Sequence, residues 1–131
     1  MPYAITALFT ALLGLFYLLL SYRVVKQRRT LKVGLGAGGH EALQQAVRAH
    51  ANFAEYVPLA LLILFLLESS GLPNWSLYLY GSILTIARFL HGQGLGRSGG
   101  YSFGRFHGTL ATWLLILTGS ITLLVQYLLH W

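Results

Sequence analysis

Residues 1–22, MPYAITALFTALLGLFYLLLSY, contain no charged side chain. A membrane-crossing helix needs about 20 predominantly apolar residues, so this run limits the possible folds more than any other feature of the chain. A cleaved signal peptide would show a basic start, a shorter apolar core and a small-residue cleavage site. None is evident, and the run reads as a first span over about residues 3–22. Three further apolar stretches follow, over about residues 41–68, 75–92 and 106–130. The segments between them are loop-like. "RVVKQRRTLKVGLGAGG" is basic and then glycine-rich, "SSGLPNW" carries Gly71 and Pro73, and "QGLGRSGGYSFGR" is again rich in glycine. The expected fold is all-α and integral to the membrane: one domain over residues 1–131, built as a four-transmembrane-helix bundle.

Composition agrees. The chain is 56% hydrophobic and 9% charged, against about 25% charged for a soluble domain. It has no cysteine, which excludes disulfides, thiolate metal sites and a protein thiol nucleophile. Any thiol in its chemistry must come with a ligand. A net charge of +6 raises the question of nucleic acid, but the cations flank apolar runs rather than cover a soluble face, so no nucleic-acid partner is expected. No aspartate is present, so a Ser-His-Asp arrangement has no support. The histidines do not have the spacing of a standard metal site, and no metal is expected. A literal G-x-G-x-x-G at Gly34, Gly36 and Gly39 lacks the β-α-β surroundings that dinucleotide binding requires.

All nine Lys and Arg residues lie in or beside the two glycine-rich loops. By the positive-inside rule both loops are cytoplasmic and both termini outside. Trp75, Tyr78, Tyr127 and Trp131 gather at the opposite ends, as an aromatic belt would.

The second apolar stretch opens with RAHANFAEYVP. Glu41, Gln44 or Gln45, Arg48, Asn52 and Glu55 recur at three- and four-residue intervals and share one helical stripe. Leu59, Leu62 and Leu66 continue it as apolar residues. From Arg48 to Glu55 the polar part descends about 10 Å at 1.5 Å per residue. His50 points to roughly the other side, and Tyr56 flanks the stripe. An ionised residue in hydrocarbon costs at least about 2.5–3.5 kcal/mol, so these groups need partners. Two readings are open. Arg48 pairs with Glu55 while Asn52 bridges, or the stripe lines a polar pocket open to the cytoplasm. Arg23, Arg88 with His91, and Arg105 bring further cations to the same depth from the other three spans. Together they suggest an anionic, hydrophilic ligand rich in carboxylate or phosphate.

RAHANFAEYVP resembles the second-helix signature of the MAPEG family, the membrane-associated proteins in eicosanoid and glutathione metabolism. The family pattern is an arginine, an asparagine four later, a glutamate three beyond, then Tyr-x-Pro. Arg48, Asn52, Glu55, Tyr56 and Pro58 fit it, and ARFLHGQG, residues 87–94, resembles the end of the family's third helix. The short loops resemble a bacterial branch similar to microsomal glutathione transferases, which implies a bacterial inner membrane location. The resemblance implies a homotrimer with glutathione as thiol co-substrate, held between subunits near the cytoplasmic face. Arg48 would then pair with a glutathione carboxylate, Asn52 would hydrogen-bond the tripeptide, Glu55 would take its amino group and Tyr56 would line the site. His50 would reach the neighbouring subunit, Arg88 would join the polar cluster, and Arg23 would come from the adjacent first helix. On the third span His91 and Leu95 replace tyrosines of the relatives. Arg105, or else Arg97, would face the sulfur. The implied function is a transferase or peroxidase that turns the glutathione thiolate on a lipophilic electrophile or lipid peroxide. The alternative is a MAPEG-fold membrane binding or structural protein without turnover.

Overall fold

A computed structural model describes residues 1–94 and 102–130. They form four helices: α1 (Ala4–Leu31), α2 (Glu41–Ser69), α3 (Asn74–Gly94) and α4 (Phe103–His130). Helices α1, α2 and α4 are long and apolar enough to cross a membrane. Their outward side chains are large and apolar, among them Leu15, Leu18, Trp113 and Leu117, a surface suited to lipid rather than to water.

The first helix outruns the expected span. It continues through Arg23, Lys26, Arg28 and Arg29 to Leu31, where the sequence alone suggested loop. Arg, Lys and Gln are good helix formers, and no glycine or proline intervenes before Gly34. The chain leaves the helix through Lys32 in the left-handed conformation, and Arg28 then donates to the carbonyls of Val33 and Gly36. Gly36 and Gly39 have positive φ, so in this chain two of the three motif glycines serve a turn. Residues 70–73 turn sharply between α2 and α3, with Gly71 at φ 81°. Pro58 lies inside α2 without ending it, as is tolerated in membrane helices.

The helices alternate in direction. Helix α1 packs on α2 and α3, and α4 packs on α3 and α2. Glycines set the closest approaches. The Phe9 ring of α1 lies over Gly81 of α3, and Phe16 and Leu20 of α1 lie over Gly92 of α3. On α4, Gly119 faces Ile63 and Tyr80, and Gly108 faces the Ala87 carbonyl. Small residues let helix backbones approach closely where lipid supplies no hydrophobic drive for association. Leu13, Leu20, Leu64, Leu77 and Leu84 fill the centre.

Polar groups in this medium need internal partners. Thr85, Thr118 and Thr122 donate to carbonyls one turn back. The start of α1 is capped from a distance. Tyr3 supplies no side-chain cap. Instead Glu68, at the far end of α2, accepts the Ile5 N–H on Oε1 at 3.0 Å and the Thr6 N–H on Oε2 at 2.8 Å. A carboxylate at a helix N-terminus satisfies orphan donors and complements the helix dipole. That contact ties the start of α1 to the end of α2.

Candidate functional site

The polar residues of α2 divide between two environments. The core-facing side of the helix carries Ala49, Phe53, Val57, Ala60 and Leu64. At about 100° per residue, Arg48 and Glu55 fall on roughly the opposite side, and both are exposed. They form no ion pair with one another, so pairing of Arg48 with Glu55 does not occur within the chain. Leu59, Leu62 and Leu66 extend this outer face and are also exposed.

Asn52 and Tyr56, between the two sides, are half-buried. The Asn52 side-chain oxygen accepts a hydrogen bond from Nη1 of Arg88 on α3 at 2.9 Å. Nη2 of Arg88 donates to the Gly108 carbonyl of α4 at 3.0 Å. The Tyr56 ring lies 5.9 Å from the guanidinium carbon. Arg88 is 1% exposed, and its Nε has no partner. This guanidinium therefore brackets three helices without a carboxylate. With the Asn52 oxygen taken by Arg88, the Asn52 amide NH2 remains as a donor.

The bracket needs α3 and α4 to be close. A Cβ on Gly108 would sit 2.5 Å from the Ala87 carbonyl oxygen and 3.0 Å from the His91 Cβ. Gly108 also accepts the Thr112 hydroxyl at 2.8 Å. Arg88 shares the buried side of α3 with Leu84 and Ala87. Nothing in the sequence pointed to Gly108 as its acceptor.

One turn from Arg88, His91 is 7% exposed. It borders a cavity of about 370 Å³ with Ser102, Arg105, Thr109, Leu110 and Trp113. Arg105 and His91 supply a cationic or polar end, and Leu110 and Trp113 an apolar wall. His50 is half-buried and stacks on Tyr17 of its own α1, with ring centroids 4.7 Å apart. Tyr17 in turn stacks on Phe53, ring centroids 5.6 Å apart, so His50 rests on an aromatic ledge. Arg23 is exposed and turns over a second cavity between α1, α2 and α3 of the same chain. Leu95 and Arg97 lie outside the described residues. Among the described residues no group of three His, Cys, Asp or Glu side chains is arranged to hold a metal ion.

The structure thus unites Asn52, Tyr56 and Arg88 in one network, and His91 with Arg105 in one cavity. It leaves Arg48 and Glu55 together on an uncovered face. That face carries both signs of charge and suits a zwitterionic ligand with carboxylates and an ammonium group.

Comparison with known proteins agrees with the motif. The sequence profile described as "MAPEG family" matches residues 6–125. The chain is 32% identical over 113 residues to "Inner membrane protein YecN" of Escherichia coli (strain K12), covering 86% of this chain and 85% of that protein. The same figures hold for the protein of that name in Escherichia coli O6:H1 (strain CFT073).

Proposed function

The chain belongs to the MAPEG family, and from that premise we propose that it is a glutathione-dependent membrane transferase or peroxidase. Glutathione binds on the outer face of α2 and its thiolate attacks a lipophilic electrophile or lipid peroxide. The observation that carries this reading is the division of charges on α2. Arg88 is fully enclosed and hydrogen-bonded to Asn52, whereas Arg48 and Glu55 stand exposed and not paired with each other. Ionised side chains at membrane depth are costly without partners. A glutathione carboxylate on Arg48, its ammonium on Glu55 and its peptide groups on the Asn52 amide would satisfy all three.

The same face argues for more than one copy. Arg48 and Glu55 lead into exposed Leu59, Leu62 and Leu66, and a second chain packed there would enclose the ligand. The assembly proposed is a homotrimer with one site at each interface. Helix α3, 21 residues long and so about 31 Å, makes the fourth crossing. With four crossings and the basic ends of α1 and α4 inside, both termini lie outside a bacterial inner membrane. YecN is itself named an inner membrane protein.

Arg105 is the residue proposed to face the sulfur. A guanidinium beside a thiol favours the thiolate and lowers a pKa that is about 8.5 when free. Each unit of lowering represents about 1.4 kcal/mol. Glutathione supplies the nucleophile, and the chain supplies charge and orientation. Leu110 and Trp113, on the apolar wall of the Arg105 cavity, suit a substrate arriving from the bilayer.

The test is conjugation of a generic electrophile by the protein in detergent, with and without glutathione, in wild type and Arg105→Ala. Glutathione-dependent turnover that falls at least tenfold in the variant is the expected result. Saturable glutathione binding without turnover would reduce the reading to a binding protein of the same fold. The ultraviolet thiolate absorbance of bound glutathione, if unchanged in Arg105→Ala, would remove Arg105 from the mechanism.

A further inference from the structure

Helix α1 runs nine residues past its uncharged stretch. On this extension Arg23, Lys26, Gln27 and Thr30 recur at intervals of three and four and so share a face. They form one wall of a cleft of about 740 Å³. The facing wall is the first two turns of α2, and Leu20, Ala49 and Gly92 close the floor. The cleft exists because volume is withheld. Deeper in the bundle the core side of α2 carries Phe53, Val57 and Leu64. Here the same side carries Ala42, Ala46 and Ala49, too small to close α2 onto α1.

Its charge is one-sided. Arg23 and Lys26 make no hydrogen bond or ion pair through their side chains among the described residues, and no carboxylate lines the cleft. Arg28 on the same extension behaves differently, donating to the Val33 and Gly36 carbonyls of the following turn. Glu41, at the start of α2, lies outside the lining and accepts from the Gln45 amide at 3.1 Å. Gln27 and Gln93 add neutral donors to the two cations. Such a set recognises an anion with several oxygen acceptors.

Depth narrows the ligand further. Arg23 follows directly on the 22 uncharged residues, which sets it at the boundary between hydrocarbon and water, at the level of lipid phosphates. Basic pockets between membrane helices on the cytoplasmic side bind acidic headgroups. The cleft lies on the core side of α2, roughly opposite Arg48 and Glu55, which carry the proposed glutathione site.

We propose that this cleft is a second ligand site that binds a phosphate-bearing anion on Arg23 and Lys26, from an acidic phospholipid headgroup or from a soluble phosphate ester. The test uses the full chain in neutral detergent, titrated with phosphatidylglycerol in mixed micelles, with phosphatidylcholine, and with glycerol 3-phosphate. Bound ligand is counted by native mass spectrometry. Phosphatidylglycerol is expected to bind saturably and phosphatidylcholine not to. In R23Q/K26Q the affinity is expected to fall about thirtyfold, for two cations removed. R29Q/K32Q removes the same charge from exposed positions outside the cleft and is expected to bind like wild type. Ala46→Leu fills the cleft at constant charge and is expected to weaken binding as well. Glycerol 3-phosphate matching phosphatidylglycerol would assign the site to a soluble ester, and failure to compete would assign it to lipid. Unchanged binding in R23Q/K26Q, or equal weakening in R29Q/K32Q, would overturn the proposal.

Discussion

Two arginine-bearing regions lie side by side in this bundle and are treated in opposite ways. Inside, Arg88 is enclosed, with hydrogen bonds to Asn52 and Gly108 and the Tyr56 ring nearby. Outside, Arg48, only one helical turn from Asn52, is exposed on the same helix as Glu55. The carboxylates repeat the contrast. Glu68 holds two backbone N–H groups of α1, whereas Glu55 stands exposed on the outer face. The chain therefore uses Arg88 and Glu68 to join its helices. It leaves another arginine and another carboxylate on an outward face of a membrane helix, where charge without a partner is costly. Arg88 and Glu68 are engaged within the fold, whereas Arg48 and Glu55 face outward.

This contrast can be broken by separating stability from binding. The largest expected loss of stability is at the bracket. Arg88→Ala removes two charge-assisted hydrogen bonds and leaves the half-buried Asn52 oxygen and the buried Gly108 carbonyl without this donor. A loss of about 3 kcal/mol is expected, read as a lowered melting temperature in detergent. Gly108→Ala tests the helix approach that the bracket requires. Its Cβ would meet the Ala87 carbonyl oxygen at 2.5 Å, backbone that cannot swing aside, so α3 and α4 must part. About 2 kcal/mol is expected from overpacking, by the same melting assay. Glu68→Ala leaves the first turn of α1 uncapped and is expected to cost about 1 kcal/mol, with faster hydrogen exchange at Ile5 and Thr6. The smallest effects on stability belong to the outer face. Arg48→Ala and Glu55→Gln are expected to stay within about 0.5 kcal/mol of wild type while glutathione binding is lost. If Arg48→Ala destabilised the chain as much as Arg88→Ala, the division between structural and available charges would fail.

The sequence made some of this legible. Helical spacing put Arg48, Asn52 and Glu55 on one stripe, and Gly71 with Pro73 marked the turn between α2 and α3. The basic end of α1 reads as loop by composition, yet it is helical to Leu31. A run of Arg, Lys and Gln keeps a helix going once it is started, and only Gly34 and the glycines after it interrupt the pattern. Contacts between helices were the least legible. The Glu68 cap joins residues 62 and 63 positions apart, and the Arg88 bracket joins Asn52, 36 residues away, to Gly108, 20 residues away. Spacing along one helix cannot report such pairs. Arg23 shows the same limit: its charge was evident, but only the packing of α1 on α2 and α3 turned it toward a cleft of its own chain.

The central claim, that the uncovered charges of α2 hold glutathione, is tested most directly by calorimetric titration of the purified protein with glutathione. Wild type and Arg48→Ala should be matched for melting temperature. The account predicts saturable binding in wild type, and loss of that binding in Arg48→Ala at unchanged stability. No saturable binding in wild type, or binding of equal strength in Arg48→Ala, would contradict it.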